Sequence, residues 1–521
     1  MPQQTRLLIS ICLLFLTGAS ARAAEAIAAD WAGGMKINGQ WSPFLLHAPS
    51  KEHGPAGSVD LVAGLLFGQA LDNFVVEAGH VHFETGSGAD HLVFDGELRD
   101  GSIEGKVTSG NTQRIFRLYR TIKADVSRFA GNYELEPGHV ISLTTNRRNL
   151  SGVRLLIALD SQTGQNQLLF ARSATTFFSG PFSETPAAET TVEFEKSISK
   201  WKTSGSPLAI AKRIDFPEEN VSFKNGSVTL AGTLILPIAP GPHPAVVFAH
   251  GSGPDSRANP FYRTMANCYA ANGVAVLIYD KRGVGESTGN WKSSGFDDFA
   301  GDTLAGVDLL RTRPDIDHQK IGVSGMSQGG WIVALCAARS PDIAFIISLS
   351  GPGVSPEEQG AYMVEHRVRA EGFGDAEVRE ALAMYQMNSH CAKTNSGWTE
   401  YEAALELARK AKWYHPEYTP QNRDEHEQWR AICDFDPAAV LEKVHCPVLA
   451  LLGKVDPLLP AEKSAEVWKE SLARAGNTDV TISIFPYADH SLGDPNLGMH
   501  RPEFFTIQRD WLIRHVQRAR Q

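Results

Sequence analysis

Cysteine is scarce in this chain, and its placement excludes a disulfide-stapled fold. The 521 residues contain six cysteines, of which Cys12 lies in an apolar amino-terminal segment. The others are far apart: Cys268, Cys336, Cys391, Cys433 and Cys446. Such spacing forms neither a disulfide scaffold nor a zinc site. Two alternatives stay open, namely buried thiols or one bridge, for which Cys391 and Cys433 are the first pair to test.

The chain also lacks an excess of positive charge and long apolar runs. The chain has 49 Lys and Arg against 59 Asp and Glu, a formal net charge of −10, and its basic residues form no run. The electrostatic footprint of a nucleic-acid-binding protein is therefore absent. The apolar segment 7–16 is too short to cross a bilayer, which takes roughly 20 residues. We expect neither a nucleic-acid partner nor an integral membrane span.

The amino terminus has the parts of a secretory signal. Arg6 supplies a positive charge, residues 7–16 supply the apolar core, and Ala21-Arg22-Ala23 is a small-x-small cleavage pattern. The sequence predicts a signal peptide over residues 1–23 and a periplasmic or secreted mature protein. An uncleaved anchor is the alternative.

Residues 24–213 are predicted to be an all-β region. Short runs rich in β-branched and aromatic residues, such as 115–118 and 192–194, alternate with Gly, Asn and Asp turn signals. This pattern is typical of a barrel or sandwich, with a possible division near residue 122. His80 and His82 alternate along one run, with His91 nearby, and we favour hydrogen-bonded sheet histidines over metal ligands.

The pattern changes from residue 214 onward. Continuous apolar runs recur there, and helix-like segments separate most of them: 246–249, 274–279, 321–324, 345–349, 448–452 and 482–485. Such runs suit strands that are buried on both faces. Their alternation with helices predicts an α/β fold whose parallel sheet is covered on both sides.

One interval, at about 353–440, has no strand-like run. It contains helical stretches at 376–386 and 400–410, with Asp375 and Thr399 placed as N-caps. Because the interval is long for a connection, we interpret it as a helical cap over the sheet.

The motif GMSQG at 325–329 matches G-x-S-x-G, and its context makes it informative. It directly follows the apolar run 321–324 and precedes a helix-forming segment that begins at Trp331. A serine on such a tight strand-to-helix turn presents its hydroxyl outside the sheet. We therefore predict that Ser327 is a nucleophile, with an ordinary turn serine as the alternative.

A serine nucleophile needs a base and an acid that orients the base. Asp456 lies just beyond the run 448–452, and His490 lies just beyond the last run. The chain order Ser, acid, His is the order of α/β-type hydrolases. We predict Asp456 and His490 for these roles. The substitutes are Asp434, Asp436 and Asp489 for the acid, and His500 and His515 for the base.

The oxyanion of an acyl-transfer intermediate needs backbone N–H donors. One predicted donor is Gln328, immediately after the nucleophile. The other is Ser252, in the glycine-containing loop HGSGP at 250–254, which follows a buried strand. An ordinary glycine turn is the alternative for this loop.

The block DKRGVGES at 280–287 superficially resembles a dinucleotide-binding loop. It lacks a correctly placed third glycine, and no helix opens directly behind it. We interpret it as a structural turn, in which Asp280 and Arg282 are candidates for an ion pair.

At these residues the chain resembles the α/β-hydrolase superfamily. The blocks at 250–254, 279–287 and 325–329 are together similar to those of esterase D-type bacterial carboxylesterases, which are related to the prolyl oligopeptidase and dienelactone hydrolase groups. The resemblance covers about 214–521 and implies an α/β-hydrolase sheet. Some relatives use Cys as the nucleophile, so Ser327 implies ester rather than dienelactone chemistry. Some members carry an amino-terminal β-domain, with which residues 24–213 are compatible.

The expected function is hydrolysis of a small-molecule carboxylic ester through an acyl-serine intermediate, with no metal or organic cofactor. Peptidase or amidase activity on small acylated peptides is the second hypothesis, because the same three groups serve both reactions. A non-catalytic lipid- or glycan-binding protein is the third.

Overall fold

The computed structural model describes residues 27–517, apart from 38–39, 51–55, 62–65, 89–90, 146–154, 181–189, 417–418 and 420–426. The predicted signal peptide lies outside the described residues. The chain divides into two compact units. The amino-terminal unit is Met1–Asp215 with Asp494–Pro502, and the carboxy-terminal unit is Phe216–Gly493 with Glu503–Gln521. The predicted boundary between residues 213 and 214 lies next to this division.

The amino-terminal unit begins with a nine-stranded antiparallel sheet in the order β4-β3-β2-β1-β9-β8-β7-β6-β5. Its strands are β1 Asp30–Ile37, β2 Gln40–His47, β3 Ser58–Leu61, β4 Leu66–Ala70, β5 Asp72–Glu77, β6 His80–Thr85, β7 Leu92–Arg99, β8 Ser102–Ser109 and β9 Thr112–Thr121. Buried and more exposed residues alternate along β6, which is the pattern of a strand with one face in a core. Phe44, Phe83, Phe94 and Phe116 form the centre of that core.

A closed barrel follows, formed by eight strands in chain order. They are β10 Gly131–Glu136, β11 His139–Thr145, β12 Leu156–Asp160, β13 Asn166–Ala171, β14 Thr176–Ser179, β15 Thr190–Glu195, β16 Ile198–Thr203 and β17 Ala209–Ile214. Tyr133, Phe177 and Phe194 pack in its interior. The change from sheet to barrel lies between Thr121 and Gly131, next to the division expected near residue 122.

The three strand-region histidines pair with carboxylates of their own sheet: His80 with Glu97, His82 with Asp95 and His91 with Glu84. Within the described ranges, no group of three or more His, Cys, Asp or Glu is arranged to hold a metal ion. These contacts match hydrogen-bonded sheet histidines.

The carboxy-terminal unit is built on an eight-stranded sheet in the order β18-β19-β21-β20-β22-β23-β24-β25. Its strands are β18 Glu218–Asn225, β19 Val228–Ile235, β20 His243–Ala249, β21 Ala275–Tyr279, β22 Ile316–Met326, β23 Ile346–Leu349, β24 Val448–Gly453 and β25 Val480–Phe485. The first two strands pair antiparallel with each other, and β19 also pairs antiparallel with β21. The six strands from β20 onward are parallel to one another.

The parallel strands are buried because helices cover them. Every residue of β21, β23 and β24 is buried, as the continuous apolar runs predict. The helices of the unit are α1 Pro260–Ala271, α2 Phe296–Arg311, α3 Gln328–Arg339, α4 Pro356–Ala370, α5 Asp375–Thr394, α6 Trp398–Ala408, α7 Glu427–Ile432, α8 Pro437–Leu441, α9 Ala461–Arg474 and α10 Pro502–Gln517. None of the helices in the described ranges is long and apolar enough to cross a membrane.

In its described residues, the interval between β23 and β24 contains the five helices α4 to α8. The predicted N-caps of two of them are wrong. Asp375 is the first residue of α5, which Gly374 caps, and Thr399 lies inside α6, which Gly397 precedes. In both cases a glycine takes the non-helical cap conformation, so the helix starts earlier than the side-chain signal indicates.

The bridge considered between Cys391 and Cys433 is not formed. Both residues are buried thiols, and no disulfide joins any two cysteines of the described residues. Of the two alternatives drawn from the sequence, the structure has the buried thiols.

Candidate active site

Ser327 lies on a sharp turn between β22 and α3, at the carboxyl end of a central strand. Its backbone has φ 56° and ψ −121°, a conformation that costs a non-glycine residue of order 1–3 kcal/mol. The Ser327 N–H donates to Leu349 O of β23 at 2.8 Å, and the Gly330 N–H donates back to Ser327 O at 2.8 Å. These bonds hold the turn in its strained form.

The two motif glycines are required by the close approach of strand and helix. A Cβ on Gly325 would lie 2.3 Å from the carbonyl oxygen of Gly329. A Cβ on Gly329 would lie 2.7 Å from the carbonyl oxygen of Ala249. Both neighbours are backbone atoms that cannot move aside, so the G-x-S-x-G spacing follows from packing at this turn.

The structure brings the three sequence-predicted side chains into one hydrogen-bonded relay. His490 Nε2 lies 2.9 Å from Ser327 Oγ, and His490 Nδ1 lies 2.7 Å from Asp456 Oδ2. Asp456 follows β24 and His490 follows β25, so the sheet carries both to the edge where Ser327 lies. A carboxylate only accepts hydrogen bonds, so Nδ1 carries the imidazole proton and Nε2 accepts from the serine hydroxyl.

The Asp456 carboxylate is buried and held in one orientation. Its Oδ1 accepts the N–H of Leu458 at 2.7 Å and the N–H of Leu459 at 3.2 Å. Its other oxygen is thereby directed to His490. The hydroxyl of Tyr362, on α4, donates to the backbone oxygen of Asp456 at 3.1 Å, which places the first helix of the interval beside this loop.

The predicted oxyanion donors lie on two elements that meet at Ser327. Gln328 is the first residue of α3, where a backbone N–H has no acceptor within its own helix. A Cβ built on Gly251, the residue before Ser252, would lie 3.8 Å from Ser327 Cβ. In the described part of the chain, the N–H groups of Ser252 and Gln328 donate to no other backbone group.

Part of the chain is similar to known proteins. The family model described as serine aminopeptidase, S33, matches residues 240–494. Esterase EstD of Thermotoga maritima is 26% identical over 278 residues, which are 52% of this chain and 60% of the esterase. The carboxy-terminal unit, called the hydrolase unit below, is thus similar to members of the α/β-hydrolase superfamily. The resemblance drawn from the three sequence blocks is thus confirmed.

Two further similarities have narrower scope. The 2,6-dihydropseudooxynicotine hydrolase of Paenarthrobacter nicotinovorans is 35% identical over 116 residues, 22% of this chain and 30% of that enzyme. Among solved structures, a Pyrococcus furiosus esterase matches with 17% identity and a TM-score of 0.40, over 57% of this chain and 91% of its own. The chain covers less than two thirds of the length of EstD and of the Paenarthrobacter hydrolase.

The substitutes considered for acid and base have other partners or belong to the other unit. Asp436 caps α8, and Asp434 pairs with Lys393 on the surface. Asp489 accepts the N–H and hydroxyl of Ser491. His515 is held by Asp479 and the carbonyl of Trp511. His500 belongs to the segment Asp494–Pro502, which is counted with the amino-terminal unit.

The histidine of the HGSGP loop is a structural residue of the hydrolase unit. The buried His250 ring donates through Nε2 to the carbonyl oxygen of Tyr279 at 2.7 Å. Burial and the nearby Lys281 charge lower the pKa of His250 to about 4, so its imidazole is neutral. It ties the loop to the end of β21.

The prediction of an ion pair between Asp280 and Arg282 is wrong. Arg282 pairs with the buried Asp302, through Nε and Nη2 at 2.7 Å each. Asp280 instead accepts the backbone N–H of Arg257 and of Glu286. The two side chains are thus held by different parts of the unit, Arg282 by α2 and Asp280 by backbone N–H groups.

This turn has a structural reason for its glycines. Gly285 has φ 56°, and a Cβ there would lie 2.4 Å from Asp280 Oδ2. The glycine is thus needed to fold the turn around a carboxylate. That requirement explains why the glycine pattern of the block resembles a dinucleotide-binding loop, without invoking a phosphate ligand. Sequence reasoning missed Lys281, which lies between Asp280 and Arg282. Its signal was a lysine two residues after the end of an apolar strand.

Proposed function

We propose that the hydrolase unit cleaves carboxylic esters through an acyl intermediate on Ser327. The observation that carries the proposal is the relay Asp456–His490–Ser327, with donor–acceptor distances of 2.7 and 2.9 Å. Both distances are within the reach that proton transfer requires. The similarity to an esterase supports the choice of substrate class.

In the first half-reaction, Ser327 Oγ bonds to the ester carbonyl carbon while His490 Nε2 takes its proton. The carbonyl electron pair moves to oxygen and forms a tetrahedral oxyanion. When this collapses, the bond to the leaving oxygen breaks, and His490 delivers the proton to it, which releases the alcohol. Asp456 keeps the imidazole in the required tautomer and stabilises its cation.

The second half-reaction uses water in the place of the alcohol. His490 takes one proton from water as the oxygen attacks the acyl carbon. The bond to Ser327 Oγ breaks, and the serine recovers its proton from His490. The product is a carboxylic acid, and the relay returns to its starting state without a redox change.

The N–H groups of Ser252 and Gln328 are proposed to bind the oxyanion in both halves. Such preorganised donors supply one of the largest electrostatic terms in acyl transfer. The helices α4 to α8 are proposed to act as a cap that shapes the acyl or alcohol pocket and limits water. The contact from Tyr362 to the Asp456 backbone supports this placement.

Amide hydrolysis is the second candidate, because the matching family model is described as a serine aminopeptidase. A p-nitrophenyl ester and an aminoacyl p-nitroanilide, assayed in parallel, separate the two. We expect ester turnover to exceed anilide turnover by at least about a hundredfold, since the ester has the better leaving group. Comparable turnover of both would replace the esterase proposal by the peptidase one.

The test of the nucleophile is labelling with a fluorophosphonate, followed by peptide mapping. We expect the label on the peptide that contains Ser327, and its loss, together with ester turnover, in Ser327→Ala. Ser491→Ala is the matched control, because its hydroxyl is also next to His490 but bonds to Asp489. Ester turnover that is equal in Ser327→Ala and the unsubstituted protein, both at the background rate, would instead favour a scaffold that only binds lipid or glycan.

We also propose that the protein is exported to the periplasm or the medium. Amino-terminal sequencing of the protein recovered from periplasmic and secreted fractions should begin at Ala24. A mature protein that retains Met1 in a membrane fraction would favour the uncleaved anchor.

A further inference from the structure

Lys281 is a buried lysine two residues beyond the end of β21. It is 2% exposed, and no carboxylate among the described residues lies within ion-pair distance of its ammonium group. A buried ammonium without a carboxylate is rare, because removing the charge from water is costly. The nearest aromatic ring is Phe299, whose centroid lies 4.5 Å from Lys281 Nζ.

The partners of this ammonium group all belong to the neighbourhood of Ser327. Nζ donates to the carbonyl oxygen of Gly251 at 2.8 Å, to that of Gly253 at 3.2 Å and to the side-chain oxygen of Gln328 at 3.2 Å. An ammonium has three protons, so these three bonds use its full donor capacity. Two partners lie on the HGSGP loop and the third on the first residue of α3.

The Gly251 carbonyl has a particular significance, because it belongs to the same peptide group as the Ser252 N–H. In a trans peptide the C=O and N–H point in opposite directions. A carbonyl held by Lys281 therefore aims the Ser252 N–H away from Lys281. A cation on the carbonyl oxygen also withdraws electron density from the peptide, which makes its N–H a stronger donor.

The preceding peptide is held from the other side. The Gly251 N–H donates to the hydroxyl of Tyr262, on α1, at 3.1 Å. The peptide that carries the Ser252 donor is thus fixed through its own carbonyl by a buried lysine and through the preceding peptide by a buried tyrosine. The contact to the Gln328 side chain links this anchor to the residue that supplies the second donor.

We propose that Lys281 is a positioning residue that orients and polarises the Gly251–Ser252 peptide and couples it to Gln328, so that both N–H donors are preorganised for the oxyanion. This inference rests on the proposed serine-esterase function. Lys281 does not touch the substrate in this scheme.

The charge state of Lys281 gives the proposal a pH signature. Burial lowers the pKa of Lys281 to about 8, against the opposing charges of Asp255 and Asp302. His250, a further titratable group beside Lys281, is neutral, and its charge does not change in that range. The ammonium, and with it the polarised peptide, is therefore lost as the pH rises through the region of 8.

The test compares Lys281→Met with Lys292→Met in the full chain. Methionine is similar in length but donates no hydrogen bond, and Lys292 is an exposed neighbour that lies over Trp291 without reaching the loop. We expect Lys281→Met to lower kcat for a p-nitrophenyl ester by about ten- to a hundredfold, with KM changed less than about threefold. Lys292→Met should match the unsubstituted protein.

The pH profile separates positioning from a loss of folded protein. The kcat of the unsubstituted protein should fall above about pH 8, and this alkaline fall should be absent in Lys281→Met. If Lys281→Met does not fold, the profile of the unsubstituted protein decides alone. A kcat that stays level from pH 7 to about 10 would overturn the proposal.

Failure of this inference is distinguishable from failure of the proposed function. If Ser327→Ala is inactive while Lys281→Met retains the full kcat, only the role of Lys281 is overturned. If Ser327→Ala turns over the ester as fast as the unsubstituted protein, the proposed reaction through Ser327 is overturned, and the assignment of Lys281 falls with it.

Discussion

Replacing the Asp456 carboxylate by an amide tests the proposed relay most directly, because the structure dictates how the new side chain must lie. In the native protein, Oδ1 accepts two backbone N–H groups, from Leu458 and Leu459. In Asp456→Asn the amide oxygen keeps this position, since the amide nitrogen cannot accept. The NH₂ group is then forced toward His490 Nδ1, at the site that now lies 2.7 Å away.

The consequence is a reversed tautomer. Two donors cannot face each other, so Nδ1 becomes an acceptor and the imidazole proton moves to Nε2. A protonated Nε2 cannot take the Ser327 proton, and the carboxylate that stabilised the imidazolium is gone. We expect kcat to fall about 10³–10⁴-fold, which is roughly 4–5 kcal/mol in the activation free energy.

The assay is steady-state hydrolysis of a p-nitrophenyl ester, with circular dichroism to verify folding. Asp489→Asn is the matched control, because Asp489 adjoins His490 in sequence but its carboxylate binds Ser491. The control should stay within about threefold of the unsubstituted protein. A folded Asp456→Asn protein with kcat reduced less than tenfold would refute the reasoning, as would an equal loss in both variants.

Three further substitutions test the packing that supports the two units. Burial would lower the pKa of His47, but hydrogen bonds and charges from Asp30 and Asp60 raise it to about 9. The protonated imidazole therefore stabilises the folded protein. This contribution is complete below the unfolded pKa near 6.5 and is lost as the pH rises through 9. In urea titrations, His47→Gln should therefore be less stable by up to about 3 kcal/mol at pH 6, with the difference narrowing toward pH 10, and a pH-independent difference would contradict this charge state. Gly325→Ala places a Cβ against the Gly329 carbonyl, so we expect about 2–3 kcal/mol lower unfolding free energy and no fluorophosphonate label on Ser327; normal labelling would show that the turn can relax. Asp302→Asn leaves Arg282 without its buried carboxylate and with only the exposed one of Asp298, and should cost about 3–5 kcal/mol in urea unfolding. The exposed Asp298→Asn should cost about 1 kcal/mol or less; equal costs would rule out a special role for the buried pair.

The candidate nucleophile could be found from the sequence because its signals are local. The strand, the turn with two glycines and the helix all lie within residues 321–335, so short-range sterics dictate their conformation. Asp456 and His490 are predicted from a different signal, namely their position after predicted strands. Parallel strands end at one edge of a sheet, so side chains distant in sequence were expected to meet there. The structure places them at hydrogen-bond distance, and their catalytic role stays a prediction.

Contacts that depend on the direction of a side chain, rather than on the order of elements along the chain, were not predictable in this way. The expected pair of Asp280 and Arg282 looked plausible because the residues are close in sequence. Only the packed turn shows that Arg282 reaches Asp302 on α2, twenty residues away, while Asp280 binds backbone N–H groups. The predicted N-caps of α5 and α6 were wrong for a related reason. The backbone conformations of the glycines allow both helices to start earlier than the side chains indicate.

By itself, the sequence determined the alternation of buried strands and helices, the tight serine turn and the edge of the sheet where the acid and base would lie. Each of these follows from hydrophobic periodicity or from sterics within a few residues. The tertiary structure alone decided that a single buried lysine would hold the Gly251 carbonyl and the Gln328 side chain. A hydrogen bond between segments so far apart depends on ångström-scale placement by the whole packed core, which no local pattern encodes.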